Sequence, residues 1–203
     1  MRTTLLSICA AICVTGIYAT AMADDGGTFQ QVKAKTFDKE KFVFPQDLRG
    51  TQLNILFLAM SSDRDNGQYQ QGALLAWHAA LDERGVFSDE VLPYHFPVLE
   101  SPPWFVKGII VGAMRDAHEG KVPPDQSGVL YVDDLAAFAA EARLALDQQP
   151  TIVITSAAGP TRAAPLQVFK GEVSPEGVDD IAAAIAAQLA ESLAESLAES
   201  VAE

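Results

Sequence analysis

The sequence predicts an α/β domain built in layers, with a mixed sheet covered by helices. The run LNILFLAM, residues 53–60, is continuously apolar and of strand length, as expected of a central strand covered on both faces. Strand-like and helix-like segments alternate along the chain, and two consecutive strands precede a final helix. A length of 203 residues suits one domain with a substantial core.

The first half of this order is a strand, a helix, a second strand and a second helix. Residues 68–84 are predicted to be helical, and Gly85 stands where a C-terminal cap belongs. The apolar residues of this segment recur at helical spacing: Leu74, Trp77 and Leu81. A short strand is predicted over 91–99, and Pro103 opens an apolar helix, because the first helical N–H has no partner to lose.

The second half adds a strand at GVLYVDD and a helix over 135–146. One face of this helix is predicted to be apolar: Leu135, Phe138, Ala142 and Leu146. PTIVITSAAG and APLQVFKGEV are then two consecutive strands. The last helix has Ser174 as its N-cap and Pro175 at its first position, with acids in its first turn.

The N-terminus has the parts of a secretory signal. Arg2 precedes an apolar run, and the small-residue site Ala21-Met22-Ala23 is followed by two aspartates. We expect cleavage after Ala23 and a periplasmic or secreted protein. The alternative is an uncleaved anchor, since the run approaches the roughly 18 to 20 residues of a membrane span. In that case the protein is a membrane-tethered assembly factor.

Cleavage would leave a mature chain without cysteine, because the two cysteines are Cys9 and Cys13. Structural disulfides and thiol catalysis are then excluded, although the compartment is oxidising. The formal net charge of −13 argues against nucleic-acid or anionic-membrane partners, which need clustered Lys and Arg. A protein partner remains possible.

We divide the chain into four parts: a signal peptide, 1–23; an N-terminal arm, 24–43; a folded domain, 44–190; and an acidic repeat, 191–203. The arm is polar and is predicted to form an extended segment or an edge strand. The repeat AESLAESLAESVAE places its apolar side chains about 40° apart around a helix, so the apolar stripe drifts. It is either a solvated extension of the last helix or a site for a partner helix.

Three segments together resemble the thioredoxin-like (redoxin) superfamily: FPQDLRGTQLNILFLA, QQPTIVITSAAG and LQVFKGEVSPEGVDDIAAAI. They are similar to that family's turn into the first central strand, its proline-preceded strand and its closing hairpin and helix. The resemblance spans most of residues 44–185. It implies a thioredoxin-like three-layer sandwich, with a central mixed sheet flanked by helices.

The resemblance also says where the family's redox site would lie. If Phe57-Leu58-Ala59 is set on the family's F-x-A, the two cysteines would fall near Ser62 and Asp65, and both are absent. Pro150 matches the position of the family's cis-proline, which lies against the redox pair and contacts extended substrate. More weakly, FPVLESPPWFVKGIIVGAMRDA resembles a helix of thioredoxin-like mitochondrial ATP synthase assembly proteins.

We expect the polar turn after residues 53–60, Ser61 to Asn66, to act in helix capping or in binding. It precedes a helix N-terminus, whose free N–H groups favour anions and are satisfied by an Asp or Asn N-cap. A serine hydroxyl lacks a positioned base here, so no catalytic residue is predicted. Candidate residues for binding a ligand or partner are Ser61, Ser62, Asp63, Arg64, Asp65, Pro150, Trp104 and Arg115.

The second apolar helix has Gly108 and Gly112 at a spacing that permits close packing on the sheet. If it is exposed instead, its apolar side chains suit a partner: Trp104, Phe105 and Ile109. Arg115 would bind an anion or form a salt bridge within the domain.

The three histidines, His78, His95 and His118, share no metal-ligand spacing, so neither a metal nor a cofactor is predicted. The alternative function is a metal- or carboxylate-dependent enzyme on the same fold. It requires His95 or His118 to lie close to an aspartate: Asp63, Asp65 or Asp133. One of the aspartates at 133 and 134 is also expected to cap the helix that follows.

Overall fold

The structure, a computed structural model, describes residues 20–21, 27–157 and 164–202. Its strands are β1 (Thr20–Ala21), β2 (Val32–Lys35), β3 (Lys41–Phe44), β4 (Leu53–Met60), β5 (Val91–Glu100), β6 (Leu130–Val132), β7 (Thr151–Ser156) and β8 (Pro165–Lys170). Its helices are α1 (Arg64–Glu83), α2 (Trp104–His118), α3 (Leu135–Glu141) and α4 (Pro175–Ala202), with a short 3-10 turn at Pro124–Gln126.

The central sheet is mixed, as predicted, with the strand order β1-β8-β7-β4-β5-β6. Strands β4, β5 and β6 run parallel to one another. β7 pairs with β4 in the antiparallel direction, and β8 pairs with β7 in the antiparallel direction. All eight residues of β4 are buried, as its continuous apolar sequence predicts for the middle of a covered sheet. β1 lies inside the expected signal sequence, so cleavage after Ala23 would remove it.

Two cores lie on opposite faces of this sheet, because successive side chains of β4 point to opposite sides. Leu56, Leu58 and Met60 pack into the core that β2, β3 and α3 cover. Ile55, Phe57 and Ala59 pack into the other core, which α1 and α4 cover. The predicted three-layer sandwich is therefore confirmed.

The N-terminal segment, predicted to be an extended arm or an edge strand, contains two strands that lie outside the central sheet. β2 and β3 form a separate antiparallel hairpin, in which Val32 pairs with Phe44 and Lys35 with Lys41. This hairpin and the residues before it bury large apolar side chains in one core: Phe29, Val32, Phe42 and Phe44. These four residues are spread among lysines, so the sequence gives only a weak apolar signal. Their rings contact distant residues: Phe29 contacts Phe138, and Phe42 and Phe44 contact Phe96.

Helix α3 ends at Glu141, earlier than the predicted 146. Arg143 follows with a φ of 54°, a left-handed conformation that stops a helix. Ala142 is buried as predicted, whereas Leu146 is 43% exposed because the helix does not carry it back to the core. Helix α1, in contrast, begins at Arg64, four residues before the predicted start at 68.

The predicted caps are confirmed at three helices. Ser174 Oγ accepts a hydrogen bond from Gly177 N at 3.1 Å, and Asp134 Oδ1 accepts one from Ala137 N at 2.9 Å. Gly85 follows α1 with a φ of 74°, which glycine adopts without strain. Gly50 is required by a close approach of the backbone, since a Cβ there would lie 2.0 Å from the Leu53 carbonyl oxygen.

Candidate functional site

The turn after β4 caps the helix that follows it. Asp63 is the N-cap of α1, and its Oδ1 accepts a hydrogen bond from Asn66 N at 2.8 Å. Ser61 Oγ donates to the Asp63 carbonyl oxygen at 3.0 Å and accepts from Asp63 N at 3.1 Å. The capping interpretation of these residues is confirmed. Ser62 and Arg64 make no side-chain hydrogen bond to the described part of the chain, and both are exposed.

The turn meets the loop that precedes β7, as the resemblance implied. Asn66 Nδ2 donates to the Gln148 carbonyl oxygen at 3.0 Å, although the two residues are 82 positions apart. Pro150 is buried at the end of this loop. Its peptide bond is trans, which corrects the implied cis-proline; among the described residues the cis bond is Phe44–Pro45.

Gln70 organises this region and was not identified from the sequence. Its Oε1 accepts from Met60 N at 2.9 Å, and its Nε2 donates to the Met60 carbonyl oxygen at 3.1 Å and to Asn66 Oδ1 at 2.7 Å. β7 pairs with β4 only as far as Leu58 and does not reach Met60. The buried amide of Gln70 therefore bonds the N–H and the carbonyl oxygen of Met60, as a neighbouring strand would.

A cleft of about 640 Å³ opens between this turn and α2. Its polar wall comes from the turn and the start of α1: Ser61, Ser62, Asp63, Arg64, Gly67, Gln68 and Gln71. Its mainly apolar wall comes from the end of β5 and from α2: Leu99, Glu100, Pro102, Ile109, Ile110, Ala113, Met114 and Ala117. Four predicted site residues thus share one cavity, whereas Asp65, Pro150, Trp104 and Arg115 do not line it.

Helix α2 is apolar in sequence but largely exposed. Trp104 is 85% exposed, Phe105 64% and Ile109 73%, and His118 is the buried residue of the helix. Close packing of the glycines on the sheet is not observed: a Cβ built at Gly108 or Gly112 would meet no atom within 4 Å. The alternative to close packing therefore applies: Trp104 and Phe105 are exposed on the helix that forms one wall of the cleft.

Behind the cleft, the three histidines form one buried cluster that their sequence spacing did not reveal. His95 Nε2 and His78 Nδ1 are 3.0 Å apart and share a hydrogen bond between β5 and α1. The rings of His95 and His118 lie 5.9 Å apart, and His118 Nδ1 donates to the Met114 carbonyl oxygen at 2.7 Å. His95 also stacks on Phe57 with ring centroids 4.3 Å apart.

This environment disfavours the charged form of all three histidines. Burial, followed by the neighbouring His78 and His118, holds the pKa of His95 well below its ordinary value. Burial also lowers the pKa of His78, against the opposing charge of Asp82. The pKa of His118 is lowered by burial and by Lys121, although its hydrogen bond to Met114 acts in the opposite direction. The cluster is thus neutral near pH 7.

Among the aspartates required by the enzyme alternative, Asp63 is the N-cap of α1. The carboxylate whose charge acts on the cluster is Asp82. Within residues 27–157 and 164–202, no group of three or more His, Cys, Asp or Glu side chains is arranged to hold a metal ion. Nor does the described part of the chain contain a helix long and apolar enough to span a bilayer.

The chain matches no known protein family, and no curated protein is similar to it in sequence. Its fold is similar to that of a SCO1/SenC family lipoprotein from Bacillus anthracis, with a TM-score of 0.50 and 11% identity over 84% of this chain and 99% of that one. BsSco, a member of the Sco family of cytochrome c oxidase assembly proteins, has a TM-score of 0.49 and 9% identity over 81% of this chain and 94% of that one.

An exposed lipoprotein thioredoxin from Streptococcus pneumoniae gives a TM-score of 0.43 and 9% identity over 75% of this chain and 98% of that one. Identities this low inform on the fold alone. The likeness to the SCO1/SenC family lipoprotein, together with the strand order and the two covered faces, supports the thioredoxin-like fold expected from the sequence.

Proposed function

We propose that this protein binds an apolar, extended segment of a partner protein in the cleft between the turn and α2, in an assembly or chaperone-like role. The exported chain acts without thiol chemistry in the periplasm or outside the cell. The observation that carries the proposal is the cleft itself, which is lined by the turn where the resemblance would put the family's redox pair and has an apolar wall formed by α2, a helix with exposed aromatic side chains.

The shape of the site favours a polypeptide segment over a small molecule. Small-molecule sites enclose most of the ligand surface. This cleft instead has an open apolar wall on which Ile109 is 73% exposed, and the same helix carries Trp104 and Phe105, which are 85% and 64% exposed. Exposed aromatic residues are typical of protein interfaces, where one side of the ring is buried by the partner. The Ser62 and Arg64 side chains, exposed on the opposite wall, can bond to a partner's backbone carbonyl groups.

The residues present at the turn support a function without thiol redox chemistry. Ser61 to Asn66 contain no cysteine, and the two cysteines of the chain lie within the expected signal. The same turn is held in shape by the hydrogen bonds of Asp63, Asn66 and Gln70. A rigid turn without a nucleophile supports binding and does not supply a reactive group.

The binding proposal is tested with a permanently unfolded client, reduced and carboxymethylated α-lactalbumin, whose binding is followed by fluorescence anisotropy. We expect the exported protein to bind it, and Ala113→Glu to weaken binding about tenfold or more, because the new carboxylate is placed on the apolar wall. Ala113 is exposed, so the substitution should leave the fold intact.

The matched control is Ala76→Glu, the same change at an exposed alanine of α1 that does not line the cleft. It should bind the client like the unaltered chain. Equal effects of the two variants, or no binding of the client by the unaltered protein, would show that the cleft is not a site for polypeptide. Catalysed reduction of insulin disulfides by the exported protein would refute the non-redox part of the proposal.

A further inference from the structure

Helix α2 is attached to the domain mainly at its two ends. Near its start, the Ser101 N–H donates to the Val132 carbonyl oxygen at 2.8 Å, and the Tyr131 hydroxyl donates to the Lys107 carbonyl oxygen at 3.4 Å. At its end, His118 is buried, with 3% of its surface exposed. The residues of the helix between these points are half-buried or exposed. Because so little of α2 is buried, it is the wall of the cleft that can move most easily.

His118 holds the end of α2 against two other elements. Its ring lies 5.4 Å from that of Phe37, which follows β2, and 5.9 Å from that of His95 on β5. Its Nδ1 donates to the carbonyl oxygen of Met114, one turn earlier in α2, and Met114 lines the cleft. Displacement of the His118 ring would therefore move the apolar wall of the cleft.

The space beside the histidines is closed to water. Gln71 lines both the cleft and a narrow void that His95 and His118 also line, so its side chain stands between the cluster and the cleft. This void is too small to hold a water molecule. A charged imidazole donates from both nitrogens and is costly to bury without acceptors. A second proton on His118 therefore lacks stabilisation until water enters.

Among the described residues, the groups that face His118 supply no negative charge. Phe37 and Gln71 are uncharged, and His95 is a second imidazole. Lys121, just after α2, is a cation whose charge acts on His118. Burial lowers the pKa of His118, and Lys121 acts in the same direction. The closed position of α2 thus disfavours a second proton on this ring.

His78 is balanced differently, although it belongs to the same cluster. It lies on α1, where its Nδ1 shares a hydrogen bond with His95 Nε2. The carboxylate of Asp82, one turn later on α1, favours the protonated form of His78. A proton on His78 is therefore offset by a neighbouring acid and does not require α2 to move. His118 is the histidine whose protonation acts on the helix.

We propose that His118 is a latch for α2: a proton on its ring releases the end of this helix from the domain, widens the cleft and lets a bound client dissociate. The first two steps are properties of the fold, and the third rests on the proposed function. Once released into water, His118 regains the ordinary histidine pKa of about 6.5, so the open form binds the proton more tightly. Lowering the pH from about 7 to about 5 then raises the ratio of open to closed α2 by up to about 25-fold.

The movement is measured without any client, as the distance between two spin labels on the exported protein. Ala76→Cys on α1 and Asp116→Cys on α2 place the labels at exposed positions that do not line the cleft, and the mature chain would contain no other cysteine. We expect this distance to change between about pH 7.5 and pH 5, and to stay constant when His118→Phe is added, because phenylalanine binds no proton. The matched pair, Ala76→Cys with Asp180→Cys on α4, should keep its distance at both pH values.

A change of charge beside the latch should move the pH at which it opens. Lys121→Glu places a carboxylate near His118 by altering an exposed residue, so α2 should be released at a pH about 0.5 units or more above that of the unaltered chain. Lys41→Glu makes the same change at an exposed lysine of β3 and should leave the pH of release unchanged. Binding of the carboxymethylated α-lactalbumin is followed in parallel and should decline over the same pH range.

The two readouts separate a failure of the latch from a failure of the proposed function. A distance that stays constant down to about pH 5, or that changes equally with His118→Phe, would overturn the latch whatever the client does. Global unfolding before the distance changes, seen by circular dichroism, would do the same. So would an unaltered pH of release in Lys121→Glu, which decides the matter should His118→Phe not fold. Movement of α2 without client binding at any pH would refute the proposed function and leave the latch supported.

Discussion

Lowering the pH from about 7.5 to about 5 is expected to destabilise the folded chain through its histidine cluster. The pKa of each histidine is lowered in the folded state, so the unfolded chain binds more protons below the ordinary pKa of about 6.5. The free energy of unfolding therefore falls as pH decreases through that value, by about 1.4 kcal/mol per pH unit for each histidine that stays neutral in the folded chain.

Denaturant unfolding at a series of pH values measures this effect. The chain has three histidines and all are in the cluster, so the region between about pH 5 and 7 reports mainly on these side chains. His95→Phe should flatten the dependence, because the new ring can still stack on Phe57 but cannot bind a proton. Stability independent of pH, or native histidines that titrate at or above about 6.5 by NMR, would contradict the prediction.

Replacing Gln70 with leucine is expected to cost about 2 to 6 kcal/mol of unfolding free energy. Its amide satisfies both the N–H and the carbonyl oxygen of Met60, and each buried backbone group left without a partner costs about 1 to 3 kcal/mol. Leucine is close to glutamine in size, so the loss would report mainly on the missing hydrogen bonds. Unfolding in urea measures the change.

Gln68→Leu is the matched control, since it makes the same change on the same helix at an exposed side chain. It should alter stability by no more than about 0.5 kcal/mol. Similar losses in the two variants would mean that Gln70 acts through helix propensity and not through Met60.

Acid and the Gln70 substitution act on the same part of the molecule. His118 is the buried residue of α2 and packs beside His95, while Gln70 fixes the end of β4 beneath the turn. Both walls of the cleft thus depend on buried polar contacts, which become costly when a partner is removed or charged. We therefore expect client binding to decline at acidic pH before the whole domain unfolds.

The local features of this protein were predictable from its sequence. Asp63, Asp134 and Ser174 each cap a helix within three residues of themselves, and the eight apolar residues of β4 need cover on both faces wherever the strand lies. These features depend on neighbouring residues, so the sequence pattern contains the whole interaction. The element order was predictable for the same reason.

The features that make the candidate site depend on residues far apart in the chain. Asn66 meets the loop at Gln148 across 82 positions, and the three histidines come from α1, β5 and α2 without any common spacing. The exposure of α2 was equally hard to predict from the sequence, since its apolar residues suit a buried helix as well as a binding surface.

The sequence by itself therefore determined the order of the elements from β4 to α4, their caps and the absence of cysteine from the turn after β4. Only the tertiary structure decided what the chain places around that turn: the Gln70 amide, the cleft and the buried histidines. The physical reason is that burial and electrostatics are properties of a residue's surroundings, and those surroundings are assembled by contacts between distant segments.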